Sequence, residues 1–275
     1  MKFGIATFVT DEGIRPGPLG RALEERGFDS LFVAEHSHIP ASRETPYPGR
    51  GELPRVYYRT LDPFILLTAA AAATTNLLVG TGIALLPQRD VFHTAKEVAS
   101  LDLLSGGRFM FGVGVGWNRE EMRDHGVDPA TRGPLMNEQL AALKELWTKD
   151  QAEFHGTYVS FGPAYSWPKP VQRPHPPIVI GGESEAALDR LLRYGDEWLP
   201  RGHTKPERIR EVRQWLADNG RGHVPCTVFG PSGPESAGRF AEADVERVAL
   251  MLPTMPEAET LAALDRLAEG VQPYR

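Results

Sequence analysis

The sequence predicts an α/β fold in which eight parallel strands, each followed by a helix, close into a single (β/α)8 barrel of the TIM type. Two observations support this prediction. Short apolar segments alternate with helical patterns from end to end of the chain, which is typical of a parallel sheet covered by helices. The chain has 275 residues, a length that accommodates eight such units in one domain. A doubly wound open sheet is the structural alternative.

The predicted strands are short and rich in Val, Ile, Leu and Phe, as expected for strands that are buried on both faces. The sixth of them is the weakest, because it has only three residues. The eight segments are 2–9, 28–34, 77–86, 109–115, 177–180, 197–199, 225–229 and 247–252.

The predicted helices lie between these strands. The first begins at Pro16 and ends before Gly27, the usual places for these two residue types. The most clearly amphipathic one carries its apolar residues at helical spacing, on Met136, Leu140 and Leu143. The predicted helices are 16–26, 62–74, 92–103, 135–147, 184–194, 206–219 and 257–269.

Two segments depart from the repeating pattern, but neither separates a second domain, so residues 1–275 are predicted to form one domain. Residues 37–60 are polar, carry four prolines and form a long loop, and loops of this length are usually functional. Residues 149–177 are an insertion and connector, with a hairpin over 153–161 followed by a proline-rich stretch.

Composition and charge exclude several functional classes. The chain has 30 Lys and Arg against 36 Asp and Glu, a net charge of -6, and no basic run, so nucleic acid is not an expected partner. No apolar run reaches the roughly 18 residues that a membrane span needs. The single cysteine, Cys226, allows no internal disulfide, which favours a cytoplasmic location. A small-molecule substrate is the expected partner.

The active site of such a barrel lies at the C-terminal ends of the strands, and the second strand ends in Glu35, His36, Ser37 and His38. Three interpretations are open. The two histidines could ligate a metal, but no further ligands are well placed on later strand ends, so no metal is predicted. His36 could be a catalytic or ring-contacting imidazole, since histidine titrates near neutral pH. The polar residues could also simply close the strand.

The fifth strand ends in Gly181 and Gly182, with Ser184 at the start of the next helix. Bare glycines and the N–H groups of a helix N-terminus are suited to a phosphate. A tight turn that needs positive φ is the alternative.

The fourth strand ends in a glycine-rich stretch, 112–116, whose G-x-G-x-G spacing is a poor match to a dinucleotide fingerprint. Two interpretations fit it better. The backbone could approach a flat ring closely, or small residues could pack a strand into a narrow barrel.

Taken together, eight segments along almost the whole chain resemble the luciferase-like flavin and deazaflavin oxidoreductases, especially the branch assigned to coenzyme F420. The segments are GFDSLFVAEH (27–36), TGIALLPQR (81–89), AKEVASLD (95–102), LSGGR (104–108), GVGVGWN (112–118), PKP (168–170), PIVIGG (177–182) and RYGD (193–196).

The resemblance implies a barrel that holds the cofactor ring at its C-terminal mouth, with His36 beside the ring and a cis peptide bond near Gly82-Ile83. It implies that loop 37–60 is the variable lid over the substrate pocket, and that the protein is a homodimer. Where some F420-dependent dehydrogenases carry a glutamate as proton donor, this chain has Trp117, so sugar-phosphate chemistry is not expected. The implied cofactor-binding residues are His36, Thr81, Gly82, Ile83, Gly114, Val115, Gly116, Asn118, Gly181, Gly182 and Ser184.

The sequence therefore predicts an oxidoreductase that transfers a hydride between F420 and a small organic substrate. His36 and Glu35 are the predicted catalytic residues; Glu35 could instead orient His36 or form a structural ion pair. The first alternative is an FMN-dependent monooxygenase in the same barrel. The second is a non-catalytic protein that binds a flavin or a deazaflavin.

Overall fold

The fold is a parallel barrel, as the alternating pattern predicts; the computed structural model describes residues 1–49, 51–231 and 233–275. Eight strands pair in parallel in the order β10 (Thr227–Phe229), β11 (Arg247–Leu252), β1 (Lys2–Thr7), β2 (Ser30–Val33), β3 (Leu78–Thr81), β5 (Phe109–Gly114), β8 (Ile178–Gly181) and β9 (Glu197–Leu199). The last strand then meets the first through parallel bridges from Trp198 to Cys226 and from Arg201 to Phe229, which closes the barrel and excludes an open sheet.

Three further strands lie outside the barrel order. The strands β6 (Ala152–His155) and β7 (Ser160–Ala164) form the antiparallel hairpin expected within the insertion. The strand β4 (Ala84–Leu85) pairs only with β5. The single strand predicted over 77–86 was therefore wrong, because the chain turns at Gly82–Ile83, where the peptide bond is cis. The apolar run continues through this turn because both sides of it are buried, so the pattern does not reveal the break.

The helices cover the outside of the barrel. Side-chain oxygens of Asp62, Asp90 and Ser184 accept N–H groups in the first turns of three of them, which is the usual stabilisation of a helix start. Three short helices, α2, α5 and α9, were not predicted. The helices are α1 (Pro16–Glu25), α2 (Val56–Arg59), α3 (Pro63–Ala72), α4 (Val91–Ser105), α5 (Arg119–Asp124), α6 (Arg132–Thr148), α7 (Glu185–Tyr194), α8 (Pro206–Asp218), α9 (Ala237–Ala241) and α10 (Glu257–Val271).

The core has two parts, and the smaller one lies inside the barrel. The larger part packs the outer faces of the strands against the helices. The interior is filled by six buried side chains from alternate strand positions: Ala6, Phe32, Met110, Val179, Leu199 and Ala249. Phe32 fits because Gly80 faces it; a Cβ at position 80 would lie 2.7 Å from the Phe32 ring. The barrel is thus packed below its mouth.

No helix within 1–49, 51–231 and 233–275 has both the length and the apolar character that crossing a membrane requires.

Candidate active site

A cavity of about 490 Å³ opens at the C-terminal ends of the barrel strands. Its wall includes ten of the residues predicted for the site, and these come from the ends of β2, β3, β5 and β8. They are Glu35, His36, Gly82, Ile83, Gly114, Val115, Gly116, Gly181, Gly182 and Ser184. Two predicted cofactor-binding residues, Thr81 and Asn118, are fully buried and do not line it. Thr81 instead donates a hydrogen bond to the carbonyl of Gly112 at 2.6 Å.

His36 follows β2 and lies in the wall of this cavity. Its Nδ1 is 2.8 Å from Oε2 of Glu121, and the two side chains are 5% and 0% exposed. The imidazole ring packs against Tyr57 and Trp117, with ring centroids 5.2 and 5.8 Å away. The ring is therefore held by a carboxylate at Nδ1 and by two neighbouring aromatic side chains.

Glu35 precedes His36 but makes contacts of its own. One carboxylate oxygen accepts the Leu85 N–H at 2.6 Å, and the other is paired with Arg89. Arg89 also contacts Glu97 at 2.5 Å. Burial raises the pKa of Glu35, and the contacts with Arg89 and Leu85 offset this only in part. The structural ion pair is the interpretation that these contacts favour for Glu35.

Ile83 forms part of the cavity wall, and the glycines of the neighbouring strands make room for it. A Cβ at Gly114 would lie 1.9 Å from Cδ1 of Ile83, and a Cβ at Gly181 would lie 2.9 Å from its Cγ2. At these two positions the missing side chain thus admits Ile83, an apolar neighbour within the protein. The small-residue interpretation of the glycine-rich stretch therefore applies at Gly114.

Gly182 and Gly116 have a different reason for being glycine. Their φ angles are +107° and +76°, in a region that other residues rarely adopt. Two residues after Gly182, Ser184 caps α7, and its hydroxyl accepts the N–H of Ala187 at 3.3 Å. The first amides of a helix have no partner within the helix, so the cavity meets a helix N-terminus here.

Glu183 lies between these residues, and its charge is neutralised locally. Its carboxylate accepts hydrogen bonds from Arg201 Nη2 and from Thr204 Oγ1, both at 2.9 Å. Burial alone would raise the pKa of Glu183, but these hydrogen bonds lower it overall. The negative charge next to the helix N-terminus is therefore paired within the protein.

Part of the cavity wall is aromatic, and the sequence did not predict this. The ring of Tyr57 lies 4.7 Å from that of Phe8 and 5.4 Å from that of Tyr47. Burial, together with the hydrogen bond between the Tyr57 and Tyr47 hydroxyls, raises the pKa of Tyr57, so this hydroxyl stays protonated. Trp117 completes the wall. Phe8, Tyr57 and Trp117 therefore line the cavity, and Tyr47 packs against Tyr57 and Trp117 without lining it.

The predicted lid, 37–60, contributes Tyr57 to the cavity wall and Tyr47 to the ring packing against Tyr57. Arg50, which belongs to the lid, lies outside the described residues. The lid is attached to α5 at Thr45, whose N–H donates to Glu120 at 2.8 Å. Next to His36, Ser37 Oγ contacts His125 Nε2 at 2.6 Å, and His38 contacts Asp124 at 3.0 Å. His38 thus belongs to an outer polar cluster and has no contact with His36.

Sequence reasoning missed Glu121 as the partner of His36. The two residues are 85 positions apart in the sequence. A signal was present: Asn118 followed three residues later by a glutamate is typical of a helix start, which places Glu121 at the C-terminal end of β5 and so in the barrel mouth.

Comparison with known proteins is consistent with this geometry. The sequence model of the luciferase-like monooxygenase family matches residues 17–231. An uncharacterised protein of Mycobacterium tuberculosis is 38% identical over 276 residues, 98% of both chains. Two solved structures share the fold. Monooxygenase RslO1 from Streptomyces bottropensis has a TM-score of 0.82 at 18% identity, covering 100% of this chain and 99% of its own. An F420-dependent secondary alcohol dehydrogenase has a TM-score of 0.76 at 17% identity, covering 99% and 100%.

Proposed function

Because the chain belongs to the luciferase-like monooxygenase family, we propose that it is an oxidoreductase that transfers a hydride between coenzyme F420 and a small organic substrate. The single observation that carries the proposal is the cavity itself. It joins a histidine with a buried carboxylate partner to a glycine-led helix N-terminus within one opening of about 490 Å³. Pockets of this size bury most of a cofactor-sized ligand.

The lining fits a flat ring with an anionic arm. Ile83 offers an apolar surface for a ring face, and Gly114 and Gly181 allow it to sit there. Gly182 and Ser184 would hold a phosphate at the start of α7. Arg201, which is half exposed beside them, pairs with Glu183 and so neutralises its negative charge next to the phosphate position. These are the residues that would hold F420.

When bound, F420 supplies a carrier that exchanges a hydride at its C5 atom; the protein supplies position and electrostatics. We propose that His36 is the catalytic residue that faces the substrate oxygen. When the substrate is an alcohol, Nε2 of His36 takes the hydroxyl proton as the carbinol hydrogen leaves with its electron pair, and a carbonyl forms. In the opposite direction the imidazolium returns that proton. General acid–base catalysis of this kind contributes typically 10² to 10⁴-fold.

The surrounding aromatic residues would exclude water and shape the substrate. Tyr57 stays protonated because burial raises its pKa, so its hydroxyl is a hydrogen-bond donor and not an anion. Trp117 and Phe8 add apolar surface on the same side of the cavity. Glu35 supports the site from behind through Arg89, as a structural residue.

A second candidate function is an FMN-dependent monooxygenase. The observation that favours it is the likeness in fold to monooxygenase RslO1, across the full length of this chain. A flavin would bind in the same cavity, so the two candidates differ in cofactor and co-substrate. Consumption of oxygen in the presence of FMN and a flavin reductase would identify the monooxygenase, because a deazaflavin lacks this oxygen chemistry.

Binding titrations test the proposal directly. We expect F420 to bind purified protein with a Kd well below millimolar, followed by the change in its fluorescence, and FMN to bind more weakly. Tighter binding of FMN with oxygen uptake would favour the second candidate. If neither cofactor binds below about 1 mM, which corresponds to only about 4 kcal/mol, the proposed function is wrong. The homodimer and the cytoplasmic location stay predictions; light scattering after gel filtration tests the first of these.

A further inference from the structure

Glu121 has a place in α5 that would ordinarily serve the helix itself. Asn118 caps this six-residue helix, and its Oδ1 accepts the Glu121 N–H at 3.4 Å. A glutamate three residues after the cap usually turns back to the N–H of the capping residue. Here both carboxylate oxygens contact another element instead: Oε2 contacts His36 Nδ1 at 2.8 Å, and Oε1 accepts the Ser37 N–H at 3.1 Å. The side chain has been diverted from its local role.

From this contact we propose that Glu121 is a positioning residue that fixes the tautomer of His36, with the proton on Nδ1 and the lone pair of Nε2 directed into the cavity. The proposal rests on the proposed function only for the use of that lone pair. The tautomer itself is a property of this chain, whichever cofactor it binds.

The hydrogen-bonding inventory supports this tautomer. An ionised carboxylate can only accept hydrogen bonds, so the ring nitrogen that faces it must carry a proton. A neutral imidazole has one N–H, so a proton on Nδ1 leaves Nε2 as an acceptor. Oε1 of Glu121 is already used by the Ser37 amide, which keeps the carboxylate from rotating away. No described residue within 1–49, 51–231 or 233–275 forms a hydrogen bond with Nε2 of His36, which leaves this nitrogen available to a ligand.

The other two buried glutamates of the mouth have different partners. Glu35 is engaged by Arg89 and by the Leu85 amide. Glu120, which is adjacent to Glu121 on α5, accepts the N–H of Thr45 in the lid at 2.8 Å. Glu121 is thus the carboxylate of this group that contacts His36, and Glu120 offers a matched control, with the same charge on the same helix.

The proposal predicts a specific change of the His36 tautomer in the Glu121→Gln variant. The Gln oxygen must accept the Ser37 N–H, since placing the amide NH₂ there would oppose two donors. The NH₂ group then faces Nδ1 of His36 and donates to it, so the ring moves its proton to Nε2. One substitution of nearly equal shape should therefore invert the tautomer and present a donor to the cavity where the wild type presents an acceptor.

The test is a two-bond ¹H–¹⁵N correlation spectrum of protein labelled with ¹⁵N-histidine, recorded where the ring is neutral. His36→Asn identifies the signals of His36 among those of the eight histidines. We expect Nδ1 to be protonated and Nε2 unprotonated in the wild type, the reverse in Glu121→Gln, and the wild-type pattern in Glu120→Gln. With any alcohol or ketone that the protein converts, Glu121→Gln should lower kcat by about a hundredfold and leave KM nearly unchanged.

A wild-type spectrum with the proton on Nε2, or a Glu121→Gln spectrum identical to the wild type, would overturn the proposal. The wild-type result decides it even if Glu121→Gln fails to fold. An F420 titration of the same samples separates this outcome from failure of the proposed function. If F420 binds but His36 has the other tautomer, only the proposed role of Glu121 is wrong. If His36 has the expected tautomer but F420 does not bind, the proposed cofactor is wrong.

Discussion

The barrel carries buried charged side chains at both ends, and the two ends use them differently. At the N-terminal ends of the strands, Arg247 contacts Asp29 at 2.8 Å and Glu197 at 3.2 Å, and Thr227 also donates to Glu197. At the C-terminal mouth, the contact with Glu121 uses one nitrogen of His36, a residue of the cavity wall, and the other nitrogen has no hydrogen-bond partner among the described residues. The first network is closed within the protein, and the second is open to a ligand.

The backbone shows the same contrast. At the N-terminal end, Glu24 accepts the N–H groups of Thr75 and Leu77 at 3.0 Å each, and Arg108 donates to the carbonyl of Leu77 at 2.7 Å. At the mouth, the turn after Gly182 places a helix start against the cavity. In such barrels the C-terminal face carries the chemistry and the other face the stability. In this protein, the hydrogen-bonding groups named at the N-terminal end have partners within the protein, whereas the mouth offers a helix N-terminus to a ligand.

The largest effect on stability is expected at the closed end. Arg247→Met would leave Glu197 buried without its cation, and breaking a buried pair costs about 3 kcal/mol or more. We expect equilibrium unfolding in urea to show this loss. Arg201→Met is the matched variant at the mouth, where the arginine side chain is 59% exposed, and a pair so exposed contributes below about 1 kcal/mol. Equal losses in the two variants would show that the two ends do not differ in this way.

The largest effect on activity is expected at the open end. His36→Asn removes the ring that faces the substrate, and we expect the rate of hydride transfer to fall about 10²-fold, which corresponds to about 2.7 kcal/mol. The substitution also removes the imidazole that contacts the buried Glu121, so the midpoint of thermal unfolding should fall as well, and the rate is measured at a temperature at which the variant is folded. Stopped-flow measurement of F420 absorbance with an alcohol and ketone panel provides the rate. An unchanged rate would make His36 a structural residue and would exclude it from the proposed acid–base step, whereas F420 binding with no turnover in the wild type would favour a protein that only binds the cofactor.

Much of this architecture could be predicted because the physics that sets it is local. Buried strands need apolar residues, and helices begin at residues such as Asp90 and Ser184, which satisfy their free amides. The break at Gly82–Ile83 was not predicted, because a buried segment has the same apolar sequence whether the strand continues or turns inside the core. The location of His36 at the mouth followed from its place at the end of a strand.

The contacts that define the site were not predictable in the same way. Glu35 and Glu121 are both glutamates beside strand ends, and nothing in one sequence tells which of them meets His36. Their partners are set by the direction in which successive side chains point after β2, which sends Glu35 to Arg89 and His36 to α5. The aromatic wall depends likewise on where a long loop folds back, and Tyr57 gave no sequence signal for this.

A smaller effect is expected for the backbone at the mouth. Gly182→Ala places a Cβ at a φ of +107°, and the resulting shift of the turn should weaken F420 binding about tenfold, or about 1.4 kcal/mol. Gly106→Ala is the control at the other end, with a φ of +69° and open space around the Cβ position. It should lower the stability by a similar amount and leave the affinity for F420 unchanged. If both variants bind F420 with the same affinity, the turn at Gly182 is not part of the phosphate site.

The smallest effect is a pH dependence at the closed end. Hydrogen bonds from the backbone amides of Asn76, Thr75 and Leu77 lower the pKa of Glu24 below its ordinary value of 4.5. The ionised carboxylate therefore favours the folded protein above that ordinary value. This stability is lost as the pH falls through the lowered pKa of the folded state.

Glu24→Gln should lack this dependence, so the difference in the free energy of unfolding between wild type and variant should shrink on acidification, from below about 1 kcal/mol toward zero. Urea unfolding at several pH values from neutral to acidic measures it, and Glu25→Gln on the same helix provides the comparison. Parallel curves for Glu24→Gln and wild type would mean that the carboxylate does not stabilise these amides by its charge. In that case Arg247 and packing would stabilise the N-terminal end of the barrel, and the hydrogen bonds of Glu24 to these amides would be a consequence of that packing.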